Sequence, residues 1–125
     1  MNEKPYDLEA RTYAFALEIR LFLRCIHWDP NSWADVKQLL RSSGSVAANY
    51  IESIGAISNP ESINRLRITK KEALESGLLL RLLNDRNPLA KEEQETLQDL
   101  LSETNELVKI FASILRKKLT NEPLP

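Results

Sequence analysis

Prolines punctuate this chain at nearly even intervals. Pro5, Pro30, Pro60 and Pro88 precede a tail that holds the other two, and they leave proline-free segments at 6–29, 31–59, 61–87 and 89–122. A proline inside a helix costs about 3 kcal/mol, whereas at the first helical position its missing N–H costs nothing. Asp29, Asn59 and Asn87 stand directly before three of these prolines. An Asx–Pro pair ahead of a periodic apolar run is a helix-start signal. Ser32 followed by Asp35 resembles a weak capping box, with Asp in place of Glu. Glycine occurs only three times, β-branched residues are scattered, and nothing alternates with period two. The chain therefore reads as four helices and no strands.

Apolar spacing gives the same answer. Leu8, Phe15, Ile19, Phe22 and Ile26 recur every three to four residues, with Thr12 filling the gap. Val36, Leu40, Ser43, Ala47, Tyr50 and Ile54 do so in the second segment, and Leu97, Leu101, Thr104, Val108, Phe111 and Leu115 in the fourth. Such rows are the seams of a bundle. The last helix carries Glu92, Glu93, Glu95 and Asp99 early and Arg116, Lys117 and Lys118 late, an order that complements its macrodipole. Short connections make successive helices antiparallel. The expected fold class is all-α, an up-and-down antiparallel four-helix bundle, with helices over roughly 7–27, 32–55, 60–84 and 88–119. One domain spans 1–125, with short flexible ends at 1–5 and 120–125.

Composition narrows the function classes. The chain has 125 residues, 42% of them apolar and 28% charged, an ordinary globular make-up rather than a disordered one. Seventeen Lys and Arg against eighteen Asp and Glu give a net charge of −1, which speaks against a dedicated polyanion binder but leaves room for a local patch. One cysteine and one histidine permit no internal disulfide and no His-rich metal site. No apolar run approaches the roughly 20 residues that span a bilayer, and MNEKPYDLE lacks the apolar stretch of a signal peptide. A reduced, cytoplasmic protein without a membrane partner is expected.

Little in the sequence points to catalysis. Cys25 and His27 lie two apart near the end of the first helix, where side chains diverge by about 200°. Glu72-x-x-Glu75 is a common surface spacing, and a di-iron bundle would need two Glu-x-x-His pairs. Ser42, Ser43 and Ser45 have no base at a recognisable spacing, and phosphate-cradling motifs are missing. The expectation is a non-enzymatic protein without cofactor or metal.

Three features ask for another explanation. Apolar residues exceed what one seam needs: Ala10, Ala14, Leu17 and Leu21 form a second row on the first helix, and Leu78–Leu83 is apolar almost all round. Self-association would cover these faces. The second helix carries a block of small residues, Ser42 to Ala48, beside a polar stripe of Arg41, Ser45, Asn49 and Glu52 within an arc of about 80°. The block suits a close helix crossing, either inside one chain or between subunits. In an antiparallel hairpin Arg41 falls opposite the Glu72–Glu75 turn, and Asn49 and Glu52 fall near Arg65, so Arg41, Ser45, Asn49, Glu52, Glu72 and Glu75 form a candidate interhelix or interface network. Finally, the third segment is basic. Arg65, Arg67, Lys70 and Lys71 make a candidate nucleic-acid patch, weakened by the absence of interleaved aromatics.

These same residues resemble a known family. Arg41-Ser42-Ser43-Gly44-Ser45-Val46-Ala47-Ala48-Asn49, with Glu52, is similar to the second-helix signature Arg-Ser-x-x-Ser-Ile-x-x-Asn-x-x-Glu of the four-helix-bundle proteins encoded in intervening sequences of bacterial 23S ribosomal RNA genes. Lys71-Glu72-Ala73-Leu74-Glu75-Ser76 with Leu80-Arg81-Leu82-Leu83, and Asn105-Glu106-Leu107-Val108-Lys109-Ile110, resemble that family's third and fourth helices. Val46 replaces the usual Ile, and Ser53 stands where Gly or Ala is common. The resemblance implies a bundle that assembles with itself into a ring, typically a homopentamer, in a family whose role is unsettled. A related branch resembles the accessory protein of diversity-generating retroelements, which partners a reverse transcriptase and nucleic acid. That branch is strongly basic, and this chain is not. Two function classes follow: an assembly module that docks another protein, and a nucleic-acid-binding accessory factor.

Overall fold

The computed structural model describes residues 7–120. Within them the chain forms α1 (Leu8–Arg24), a 3₁₀ turn (Pro30–Ser32), α2 (Trp33–Ile54), α3 (Asn59–Arg86) and α4 (Lys91–Thr120), with no strand among the described residues. Each helix packs on its sequence neighbour, and α1 closes the bundle against α4, the least closely packed of the four helix pairs. The four-helix bundle expected from the prolines is the fold observed. Of the ends expected to be flexible, 1–5 and 121–125 lie outside the described residues, whereas Thr120 completes α4, its hydroxyl donating to the Arg116 carbonyl at 3.0 Å. No helix of the described residues is long and apolar enough to cross a membrane.

The core follows the predicted row on α1, where Leu8, Thr12, Phe15, Ile19 and Phe22 are all buried. Thr12 fits because its hydroxyl donates back to the Leu8 carbonyl at 2.7 Å, so no polar atom is stranded. On α2 the buried face is turned by about 80° from the expected row. Leu39, Ser42, Ser43, Val46 and Ser53 point inward, while Ile54 is exposed. Serines do not read as core, yet Ser43 and Ser53 satisfy themselves on the carbonyl three residues back, and Ser42 bonds a hydroxyl of α3. Their small size lets α2 lie close to α3, the most extensive helix pair in the molecule.

Two helix limits differ from expectation by three residues, both for local reasons. α1 stops at Arg24 rather than 27, because the Trp28 indole N–H takes the Leu23 carbonyl at 2.9 Å. Trp28 is thereby buried edge-on to Phe22, with centroids 6.0 Å apart. α4 starts at Lys91 rather than 88. Asn87 is held extended ahead of Pro88, and its side chain belongs to the helix before it. The Asn87 amide donates to the Leu83 carbonyl (2.9 Å) and the Ser32 hydroxyl (3.1 Å), and its oxygen accepts the Asp29 N–H (3.1 Å). Asn87 thus caps α3 and pins it to the α1–α2 connection. Ser32 makes no capping bond of its own, so the capping box read at Ser32 and Asp35 does not form. On α4 the Glu93 carboxylate reaches back to the Ala90 N–H at 2.8 Å, the work of a capping box from a different residue. Ser58, not Asn59, caps α3, accepting the Glu61 N–H.

Candidate functional site

The polar stripe of α2 meets α3 along a seam. Arg41 donates through Nη2 to Glu72 Oε1 at 2.9 Å and to Glu75 Oε2 at 3.1 Å, and through Nη1 to Glu72 Oε2 at 3.4 Å. Glu72 is buried, so the spacing that looked like a surface pair places one carboxylate inside. The pull of Glu72 raises the Arg41 pKa against the cost of its own desolvation, and Glu75 adds to it. Gln38, which the sequence did not single out, donates to Glu75 Oε2 at 2.7 Å. That bond, with Arg41 adding to it against the opposing cost of burial, holds the Glu75 carboxyl below the ordinary carboxylate range.

At the level of this cluster the two helices also meet through two buried hydroxyls. Ser42 Oγ and Ser76 Oγ lie 2.7 Å apart and fully buried. Ser76 donates to the Glu72 carbonyl at 2.9 Å, which leaves its lone pair for the Ser42 proton. Beyond them Arg65 donates to Asn49 Oδ1 at 3.0 Å and pairs with Glu52 at 2.9 Å. Asn49 in turn donates to the Ser45 hydroxyl at 2.8 Å and carbonyl at 3.0 Å. The six stripe residues therefore form two clusters rather than one network. No buried side-chain polar atom among the described residues lacks a partner. A seam so fully satisfied binds helix to helix and aims no spare donor at a ligand.

The small-residue block is divided between neighbours. Ser42 faces α3; Ser43 accepts from Arg20 of α1 at 3.2 Å. A Cβ on Gly44 would come within 3.0 Å of Arg20 Nη2, so this part of the block serves a crossing within the chain, while Ala48 is exposed. Cys25 and His27 lie past the end of α1, both exposed. No group of three or more His, Cys, Asp or Glu among the described residues is arranged to hold a metal.

The basic patch takes a different composition from the one read in sequence. Arg65 is drawn to the α2 side by Asn49 and Glu52, and so leaves it. Arg67, Lys70 and Lys71 remain together and gain Arg116 from α4, around a groove of about 480 Å³ floored by Leu74, Leu115 and Leu119. Arg116 was invisible as a partner because nearly fifty residues separate it from Lys71 in sequence. The groove continues along the α3–α4 seam past Leu78 to Arg81. At the other end of the bundle the α1–α4 groove has the opposite sign, with Glu18, Glu92, Glu93 and Asp99 around Leu21, Phe22 and Leu100.

Both the signature seam and the bundle have relatives. The family model for the 23S rRNA-intervening sequence protein matches residues 7–110. The chain belongs to that family. Among solved structures it is similar to a protein of unknown function from the S23 ribosomal protein family of Bacteroides thetaiotaomicron, with a TM-score of 0.70 and 27% identity over 86% of this chain and 96% of that one. No curated protein matches the chain. The signature residues Arg41, Ser45, Asn49 and Glu52 thus make bonds within the chain, although Arg41 and Glu52 stay exposed at the edge of the seam.

Proposed function

We propose that this protein is a non-enzymatic assembly and docking module, which associates with its own copies and presents a second face to another protein. One observation carries the reading: large apolar side chains lie uncovered on two separate flanks. On α1, Tyr13, Leu17 and Leu21 follow one another at four-residue steps, with Leu17 41% exposed. The Arg20–Ser43 bond fixes the antiparallel register, which brings Tyr13 opposite the turn at residues 50–51, beside exposed Ile51 and Ile54. On α3, Leu74, Leu78 and Leu82 form a second four-residue row, with Leu74 53% exposed. Patches of this kind on a small chain mark interaction surfaces.

The α1 row and the α2 isoleucines make one flank for the chain's own copies, and in a head-to-tail ring this flank meets a different surface of the next copy. The number five comes from the family resemblance. Light scattering at micromolar concentration tests the reading. The expected result is a defined multiple of 14.3 kDa, reduced to a helical monomer by Leu17→Asp or Ile54→Asp. A wild-type chain that stays at one chain mass removes self-association.

The nucleic-acid reading keeps one supporting observation, the four cations around the α3–α4 groove, none of them in an ion pair among the described residues. Four phosphate contacts give a salt slope of about −3.6 and weak binding at physiological ionic strength. Sub-micromolar affinity for RNA or DNA at about 150 mM salt would promote this reading over the first.

A further inference from the structure

The α3–α4 groove differs in sign from the rest of the molecule. The chain as a whole carries −1, yet no acidic residue lines this groove anywhere along its length. Five bases do: Arg67, Lys70, Lys71 and Arg116 at one end and Arg81 toward the other. Three arginines between other helices are neutralised within the chain. Arg11 pairs with Glu103, Arg41 with Glu72 and Glu75, and Arg65 with Glu52. The groove cations enter no ion pair among the described residues. Five cations without an acidic partner thus line one groove that has a leucine row along it.

Its shape sets the second requirement. Leu74 belongs to both halves of the groove, Leu78 continues the floor from α3, and Leu101 and Val108 complete it from α4. From Arg67 to Arg81 the channel follows about four helical turns, roughly 21 Å. An occupant must therefore be about that long, apolar on the face it buries and anionic at its margins. A mononucleotide or single phosphate is too short. A nucleic-acid strand would find no aromatic platform, since none of the lining residues is aromatic, and would leave the leucine floor unused. An acidic amphipathic helix meets every condition, with apolar anchors at i, i+4, i+7 and i+11 on the floor and carboxylates against the basic rim.

We propose that the α3–α4 groove is the docking site for an acidic amphipathic helix of a partner protein. The proposal rests on the docking-module reading and supplies the chemistry of its second face.

The test uses the full-length chain in its own assembly state and fluorescence anisotropy with a labelled, helix-forming peptide of about 14 residues, with leucines at the anchor positions and glutamates between them. Two control peptides replace the glutamates by glutamine, or keep the composition and scramble the order. A single-stranded oligonucleotide of equal charge is the fourth probe. Saturable binding of the acidic amphipathic peptide is expected, with each control peptide at least about tenfold weaker at low salt. Leu74→Ser with Leu78→Ser, at exposed positions that leave the bundle intact, should weaken it about tenfold, as should Lys71→Glu with Arg116→Glu. Equal binding of the scrambled peptide, tighter binding of the oligonucleotide, or no saturable binding at about 100 μM (a level that corresponds to roughly −5.5 kcal/mol) each overturns the proposal. Light scattering on the same samples separates the two levels. An assembled protein that ignores the peptide sinks the groove proposal alone, and a monomer that ignores it sinks the module reading as well.

Discussion

Arg41 has one end in water and the other on a carboxylate that cannot reach water. Its own side chain is 47% exposed, that of Glu72 only 10%. Removing it leaves Glu72 charged and buried without its cation, the expensive way to break an ion pair. Solvent can enter where Arg41 stood, so the cost of Arg41→Ala should lie near 2 kcal/mol, below that of a fully enclosed pair. Urea melts measure it, and a loss under about 0.5 kcal/mol would mean that the seam tolerates a lone Glu72. Glu75 adds a pH signature. Its folded pKa is depressed, so near the ordinary carboxylate pKa of about 4.3 the unfolded chain binds the proton more readily. Its contribution is complete above that value and is lost as pH falls through the lower folded pKa. The stability difference between wild type and Glu75→Gln should accordingly shrink on acidification through that window. A difference that stays constant from neutral to acid pH would contradict the assigned role of Gln38 and Arg41.

At the scale of helices, the two glycines at crossings make opposite demands. A Cβ at Gly44 would meet the tip of Arg20 at 3.0 Å, and one at Gly77 would meet Thr104 Cγ2 at 3.2 Å. The Arg20 tip bonds the Leu40 carbonyl at 3.0 Å but lies at the surface, where water can take over that bond if the tip shifts. Thr104 is buried, and its hydroxyl is tied to the Leu100 carbonyl at 2.7 Å, which fixes its rotamer. Alanine gains up to about 1 kcal/mol of helix propensity over glycine at either position. Gly44→Ala should keep most of that gain, while Gly77→Ala spends it on the α3–α4 crossing and ends neutral or destabilised. Thermal melts of the two variants decide it, and the reverse order would place the tight crossing at α2. These helices show what the sequence made legible and where it stopped. Prolines and apolar spacing located all four helices, and the antiparallel register brought Arg41 to Glu72 and Arg65 to Asn49. The rotation of α2 escaped, since its buried face is lined with serines that pay their own hydrogen-bond cost. Asn87 read as the start of α4 because Asx–Pro is a local signal, whereas its bonds run to Ser32 and Asp29, more than fifty residues away. Arg65 and Arg116 were misassigned or missed at the basic groove for the same reason: their neighbours come from other helices.

Across the whole molecule the packing is uneven. α3 sits between α2 and α4 and holds more buried residues than any other helix, among them Leu66, Ala73, Leu80 and Leu83. α1 rests closely on α2 but packs less closely on α4, to which it is tied by Arg11 and Glu103 through two hydrogen bonds at 2.7 and 2.8 Å. Local opening follows the packed surface that must be parted, so detaching the shortest helix, α1, should expose its amide hydrogens through the smallest excursions. The bundle is expected to open from its α1–α4 edge, with α1 amides exchanging fastest among the helix interiors and those of central α3 close to the global unfolding limit. Glu103→Gln keeps the side-chain shape but removes the charge that Arg11 faces. It should speed exchange in α1 severalfold and leave central α3 unchanged, as expected for a half-exposed charged pair worth about 1 kcal/mol. Native-state hydrogen exchange at low denaturant reads both helices in one experiment. If α1 and α3 respond equally to Glu103→Gln, the four helices open as one unit and the α1–α4 edge is not the weak side. A protected α1 in the wild-type oligomer that loses protection in Leu17→Asp would add that subunit contact, rather than the fold of one chain, is what holds this edge shut.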